Sequence, residues 1–62
     1  GPVESARMIF AKVTCALEDA ATVAAEGQAT QDLAAARQSC DHLISVLEAC
    51  LKQLQRLRRR LG

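Results

Sequence analysis

Aromatic residues, proline and glycine are scarce in this chain. Phe10 is its only aromatic residue, and its 62 residues include one proline and three glycines. Alanine and leucine dominate the hydrophobic half of the composition. Strands are rich in aromatic and β-branched residues, whereas alanine and leucine favour helices. The composition therefore argues against a β-sheet and predicts an all-α fold.

Long apolar runs are also missing. Charged residues interrupt the hydrophobic ones throughout, so we expect no segment that spans a bilayer and no signal peptide. The three cysteines are Cys15, Cys40 and Cys50. Their odd number and wide spacing argue against a disulfide framework and favour a reducing compartment. We expect an intracellular protein, either cytoplasmic or nuclear.

Motifs for chemistry are absent as well. The chain has no Gly-rich phosphate loop and no nucleophile–histidine pair at a workable spacing. Cys40 and His42 are two residues apart and point about 200° away from each other on a helix. We expect no enzymatic activity, no cofactor and no metal site. Cys40 and Cys50 are expected to be buried reduced thiols and Cys15 an exposed thiol, with an intermolecular disulfide through Cys15 as the alternative.

Gly27 is the only glycine in the interior of the sequence. It follows an alanine-rich run, and a glycine in the left-handed conformation often ends a helix. Thr30 suits the N-cap of a second helix. The sequence thus predicts a turn at 27–30. One unbroken helix is the alternative, because a single glycine costs a helix only about 1 kcal/mol relative to alanine.

The predicted organisation is one helical-hairpin domain. Gly1-Pro2 has the form of a residue pair left after cleavage of an expression tag, and we exclude it from the fold. The domain spans residues 3–62, with helix 1 at about 3–26, the turn at 27–30 and helix 2 at about 31–61. A short connection makes the two helices antiparallel neighbours.

Apolar residues recur at alternating spacings of three and four along both helices, as in a coiled-coil seam. The predicted seam of helix 1 is Val3, Ala6, Phe10, Val13, Leu17, Ala20 and Ala24. That of helix 2 is Leu33, Ala36, Cys40, Leu43, Leu47, Cys50, Leu54, Leu57 and Leu61. Pairing about the turn places Phe10 near Leu47. It also leaves the end of helix 2 overhanging helix 1 by about two turns, roughly 10–12 Å.

Further apolar residues flank this seam and widen it beyond what two helices cover. The flanking residues are Ile9, Ala16 and Val23 on helix 1, and Ile44, Leu51 and Val46 on helix 2. Exposed apolar patches usually mark an interface. We therefore expect a second helical surface to complete the fold, most simply in a dimeric four-helix bundle. The expected interface residues are Ile9, Phe10, Val13, Ala16, Leu17, Val23, Leu43, Ile44, Leu47, Leu51, Leu54 and Leu57.

Charge is distributed unevenly along the chain. Residues 1–48 carry seven acidic and three basic side chains, a net charge of −4, whereas residues 49–62 carry five basic ones, a net charge of +5. The basic tip comprises Arg56, Arg58, Arg59 and Arg60. The favoured interpretation is a solvated helix end whose arginines complement the helix dipole. The alternative is contact with an acidic partner, an anionic membrane or nucleic acid, and the lack of interleaved aromatic residues weakens the case for nucleic acid.

Together these patterns predict a non-enzymatic protein–protein interaction module. The preferred function is self-association that dimerises a larger protein. The first alternative is docking of an amphipathic helix from a different protein. The second is an electrostatic tether, in which the basic tip holds anionic lipid or nucleic acid.

Overall fold

In the computed structural model, which describes residues 1–62, two α-helices pack side by side as an antiparallel hairpin. Helix α1 spans Pro2–Gln28 and helix α2 spans Leu33–Leu61. The Cα atoms extend over 47 × 16 × 10 Å. The predicted all-α hairpin is confirmed, and a single unbroken helix is excluded.

The outer ends of both helices suit the helix dipole. Pro2 lies in the first turn of α1, where its missing N–H removes no helical hydrogen bond. The Gly1 amino group donates to Glu4 Oε2 at 3.5 Å, and this acidic side chain lies at the positive end of the helix. At the end of α2, the Arg58 guanidinium donates to the carbonyl oxygen of Gly62. Three arginines occupy this last turn, at the negative end of the dipole.

The end of α1 differs from the prediction. Gly27 is helical and its φ is not positive, so the predicted left-handed ending at this residue is wrong. The helix continues to Gln28, and the Ala29 N–H then donates to the carbonyl oxygen of Glu26 at 3.1 Å. The alanine-rich sequence before Gly27 favours the helix strongly enough to offset the roughly 1 kcal/mol that one glycine costs.

The start of α2 also differs. The predicted N-cap at Thr30 is wrong, because Asp32 occupies that position with an extended backbone. Its Oδ1 accepts a hydrogen bond from the Ala34 N–H at 3.1 Å. Aspartate caps slightly better than threonine and adds a negative charge at the positive end of the helix. The turn therefore lies about two residues later in the chain than predicted.

The hairpin has a thin core made of one seam from each helix. Its five buried residues are Ala6, Val13, Ala20, Cys50 and Leu57. Half-buried residues complete an inner seam with spacings of three and four. On α1 the inner seam is Ala6, Ile9, Val13, Ala16, Ala20, Val23 and Gly27. On α2 it is Ala36, Ser39, Leu43, Val46, Cys50, Gln53 and Leu57.

This inner seam uses only half of the predicted one. Phe10, Leu17 and Leu47 were expected inside the hairpin, yet they are 52%, 46% and 49% exposed. The residues Ile9, Ala16, Val23 and Val46 were expected beside the seam and instead lie within it. Each helix is thus rotated by one row of side chains relative to the prediction. The rotation brings small side chains into the contact, and small side chains allow two helix backbones to approach closely.

The register of the two helices is shifted too. Phe10 lies beside Leu54 and Leu57 rather than Leu47. Pro2 lies beside Leu61, so the predicted overhang of α2 is wrong, and the basic tip lies alongside the first turns of α1. A turn that lies two residues later accounts for about four residues, roughly one helical turn, of the seven that separate Leu47 from Leu54.

Candidate interaction surface

One face of the hairpin carries the large apolar side chains that the core leaves out. We call it the apolar face. It comprises Phe10 and Leu17 of α1 with Cys40, Ile44, Leu47, Leu51, Leu54 and Leu61 of α2. Apart from the half-buried Leu54, all of these residues are exposed. Phe10 borders a recess together with Leu54 and Leu61, which shows that the contributions of the two helices lie on the same side.

The α2 part of this face forms a second seam beside the inner one. Residues 40, 44, 47, 51, 54, 58 and 61 follow the alternating spacing of four and three that marks a coiled-coil contact. Every member is apolar except Arg58. The inner seam already binds α1, and apart from Leu54, which lies beside Phe10, the members of this outer seam are exposed and lack a partner within the chain. Helix α2 therefore has the side-chain pattern of a helix that contacts two neighbours.

The exposed area of the hairpin is large for its mass. The surface measures 4944 Å² for a chain of 6.7 kDa. A compact folded monomer of that mass exposes roughly 3,900 Å². The hairpin therefore exposes about 1,000 Å² more than such a monomer, and a standard interface buries about 800 Å² on each partner. The extra area matches what one ordinary interface would cover.

Charge separates along the length of the hairpin. We define the basic end as residues 1–16 and 47–62, and the acidic end as residues 17–46, which include the turn. The basic end carries seven basic and two acidic side chains, a net charge of +5. The acidic end carries five acidic side chains and one arginine, a net charge of −4. The only ion pair joins the Gly1 amino group to Glu4, so no arginine or lysine is neutralised within the hairpin.

The four arginines of the basic tip do not share one side. Arg56, Arg59 and Arg60 line a recess with Ile9 and Gln53, none of which belongs to the apolar face. The fourth, Arg58, borders the recess of the apolar face. The tip thus presents positive charge around the helix rather than a single aligned row.

The cysteines are all free. Cys50 is buried, whereas Cys15 and Cys40 are exposed. The expectation of a buried Cys40 is wrong, because this residue belongs to the outer seam of α2. No group of three histidine, cysteine, aspartate or glutamate side chains is placed to hold a metal ion. Neither helix contains a stretch with the length and hydropathy needed to cross a membrane.

The structure divides the expected interface residues into three groups. Val13 and Leu57 are buried in the hairpin core. The half-buried group is Ile9, Ala16, Val23, Leu43 and Leu54. The exposed group, all on the apolar face, is Phe10, Leu17, Ile44, Leu47 and Leu51. Two further members of this face, Cys40 and Leu61, were not among the expected interface residues, although their spacing within the helix 2 pattern was a signal for them.

Comparisons with protein families, with characterised proteins and with solved structures found no match to this chain. Its function is therefore inferred from the apolar face, the exposed area of the whole hairpin and the distribution of charge.

Proposed function

We propose that this protein is a non-enzymatic self-association module. The apolar face of one copy packs against the apolar face of a second copy, and the four helices form a bundle. The observation that carries the proposal is the outer seam of α2, which has the spacing of a helix–helix contact and, apart from Leu54, no partner in the chain. Dimerisation would join two copies of any larger protein that contains this hairpin.

A second copy fits this surface for two reasons. A two-fold interface pairs a patch with itself, so both sides must have the same chemistry and area. The apolar face is compatible with this condition, since its α2 seam is apolar except at Arg58, and the extra exposed area of the whole hairpin is close to what one standard interface buries on each partner. The separated charges also allow the basic end of one copy to attract the acidic end of another.

The test is the mass in solution across a concentration series. Light scattering and sedimentation equilibrium from low to high micromolar concentration should show a species of twice 6.7 kDa. Dilution should then give reversible dissociation. A species of 6.7 kDa that unfolds cooperatively at all these concentrations would rule out self-association, because the apolar face would then be stable in water.

Docking of a partner's amphipathic helix is the second candidate. The recess bordered by Phe10, Leu54, Leu57 and Leu61 supports it, since a groove between two helices can receive an apolar side chain from a third. A docking module of this kind remains a monomer without its partner. The mass measurement therefore separates the two candidates.

A further inference from the structure

We infer that the second copy binds in the reverse direction, so that α2 packs on α2 of the other copy and each basic end covers an acidic end. This inference rests on the proposed self-association. It specifies which two-fold arrangement the bundle adopts. The flanking ends of the two chains would then emerge from opposite ends of the bundle.

Two arrangements are compatible with a two-fold interface between the apolar faces. If the axis runs along the helices, α2 packs on α1 of the other copy and both basic ends meet at one end of the bundle. If the axis runs across the helices, α2 packs on α2 and the basic ends lie at opposite ends. Two features distinguish the arrangements: the charges of the ends that lie side by side, and the polarity of the exposed rows of side chains that face each other across the interface.

Charge favours the axis that runs across the helices. In the other arrangement, two ends with a net charge of +5 would lie side by side, as would two ends with a net charge of −4. In the reversed arrangement each +5 end faces a −4 end. Like-charge juxtaposition suppresses an interface and opposite charge favours it.

The outer seam of α2 favours the same axis. Between residues 40 and 54 this seam is symmetric about Leu47, with Ile44 and Leu51 on either side, then Cys40 and Leu54; Arg58 lies outside this symmetric part and would face Arg37 of the other copy. Reversed packing of two α2 helices pairs Ile44 with Leu51 of the other copy, and Leu47 with itself. Packing α2 on α1 would instead place Ile44 and Leu51 against a row that contains Arg7, Thr14, Ala21 and Gln28, which offers fewer apolar partners.

The exposed row of α1 is consistent with this axis. Phe10 lies beside Leu54, and seven residues further along each helix Leu17 lies level with Leu47. An axis through Leu47 therefore also pairs Leu17 with itself. It places the large Phe10 opposite the small Ala24 of the other copy, so that a bulky residue faces a small one.

Distance measurements between spin labels test the direction. A nitroxide is attached at Gly62→Cys in a chain that also carries Cys15→Ser, Cys40→Ala and Cys50→Ala, with helicity checked by circular dichroism. Residue 62 lies 15 residues from the axis, so reversed packing predicts a separation of about 45 Å. Packing with both basic ends together predicts less than about 30 Å, since neighbouring helices are only 8–10 Å apart.

A label at Ser45→Cys in the same background serves as the control. Residue 45 is close to the axis, so both arrangements give a distance below about 30 Å. A long distance at residue 62 with a short one at residue 45 supports reversed packing. Short distances at both positions would overturn the direction while leaving self-association intact. Absence of dipolar coupling at both positions, with a mass of 6.7 kDa, would overturn self-association itself.

Discussion

Leu51→Glu gives a direct test of the apolar face. Leu51 is 55% exposed, so about half of its side chain does not contribute to the hairpin. Full burial of a leucine contributes about 1.5–3 kcal/mol, so covering the exposed half contributes roughly 1–1.5 kcal/mol per copy and about 2–3 kcal/mol per two-fold dimer. Glutamate removes this contribution and also places a charge in an apolar contact. Because 1.4 kcal/mol is a tenfold change, we expect the dimer Kd to rise about 100-fold or more.

Met8→Glu is the matched control. Met8 is 64% exposed, and it lies two positions from Phe10, about 200° around α1 and therefore away from the apolar face. The same change of chemistry at this site should leave Kd within about twofold, as is usual for surface substitutions. Sedimentation equilibrium gives Kd, and circular dichroism above the Kd of each variant gives helicity. Equal weakening by both variants would refute a specific role for the apolar face. A parallel loss of helicity in Leu51→Glu would place Leu51 in the hairpin core.

Four further predictions concern stability, the turn and salt. The Tm should rise with protein concentration, because dissociation accompanies unfolding, and a constant Tm in calorimetry would contradict the dimer. Gly27→Ala should stabilise the protein by about 0.5–1 kcal/mol in urea melts, since Gly27 is helical and an added Cβ meets nothing within 4 Å; destabilisation would contradict this assignment. Asp32→Ala should cost about 1 kcal/mol in the same assay through loss of the N-cap, and an equal cost for Thr30→Ala would contradict the capping role. Glutamine at positions 58–60 should weaken the dimer at low salt but not near 1 M salt, where the screening length is about 3 Å; an effect independent of salt would exclude a charge contribution.

The hairpin itself was predictable because its evidence is spread over many residues. Both helices repeat apolar residues at spacings of three and four over about seven turns, and no proline interrupts them. The turn was harder to locate, because its position depends on small differences at single residues. Glycine often marks the end of a helix, yet Gly27 costs the helix only roughly 1 kcal/mol. The alanine-rich sequence before it favours the helix enough to offset that cost. Asp32 gives a better cap two residues after Thr30.

Periodicity alone could not show which rows of side chains on each helix contact the other helix. Each helix has three adjacent apolar rows, and any two neighbouring rows form a seam with spacings of three and four. On α1, the row of Ala6 and Val13 combines equally well with the row of Phe10 or with that of Ile9. The pattern therefore supports two rotations of each helix with the same strength. The difference lies in the size of the side chains, which the pattern ignores.

Side-chain size connects the rotation of the helices to the proposed self-association. The rows that the rotation brings into the contact include Ala16, Ser39 and Gln53, whereas Phe10 and Leu47 stay on the apolar face. A hairpin that functioned alone would gain more by burying its largest side chains, because the hydrophobic contribution grows with buried area. Small residues between the helices and large residues on one face are what half of a four-helix bundle requires, since the large side chains then fill the space shared by all four helices. The rotation that the structure adopts thus leaves large apolar side chains exposed on one face, as the proposed self-association requires.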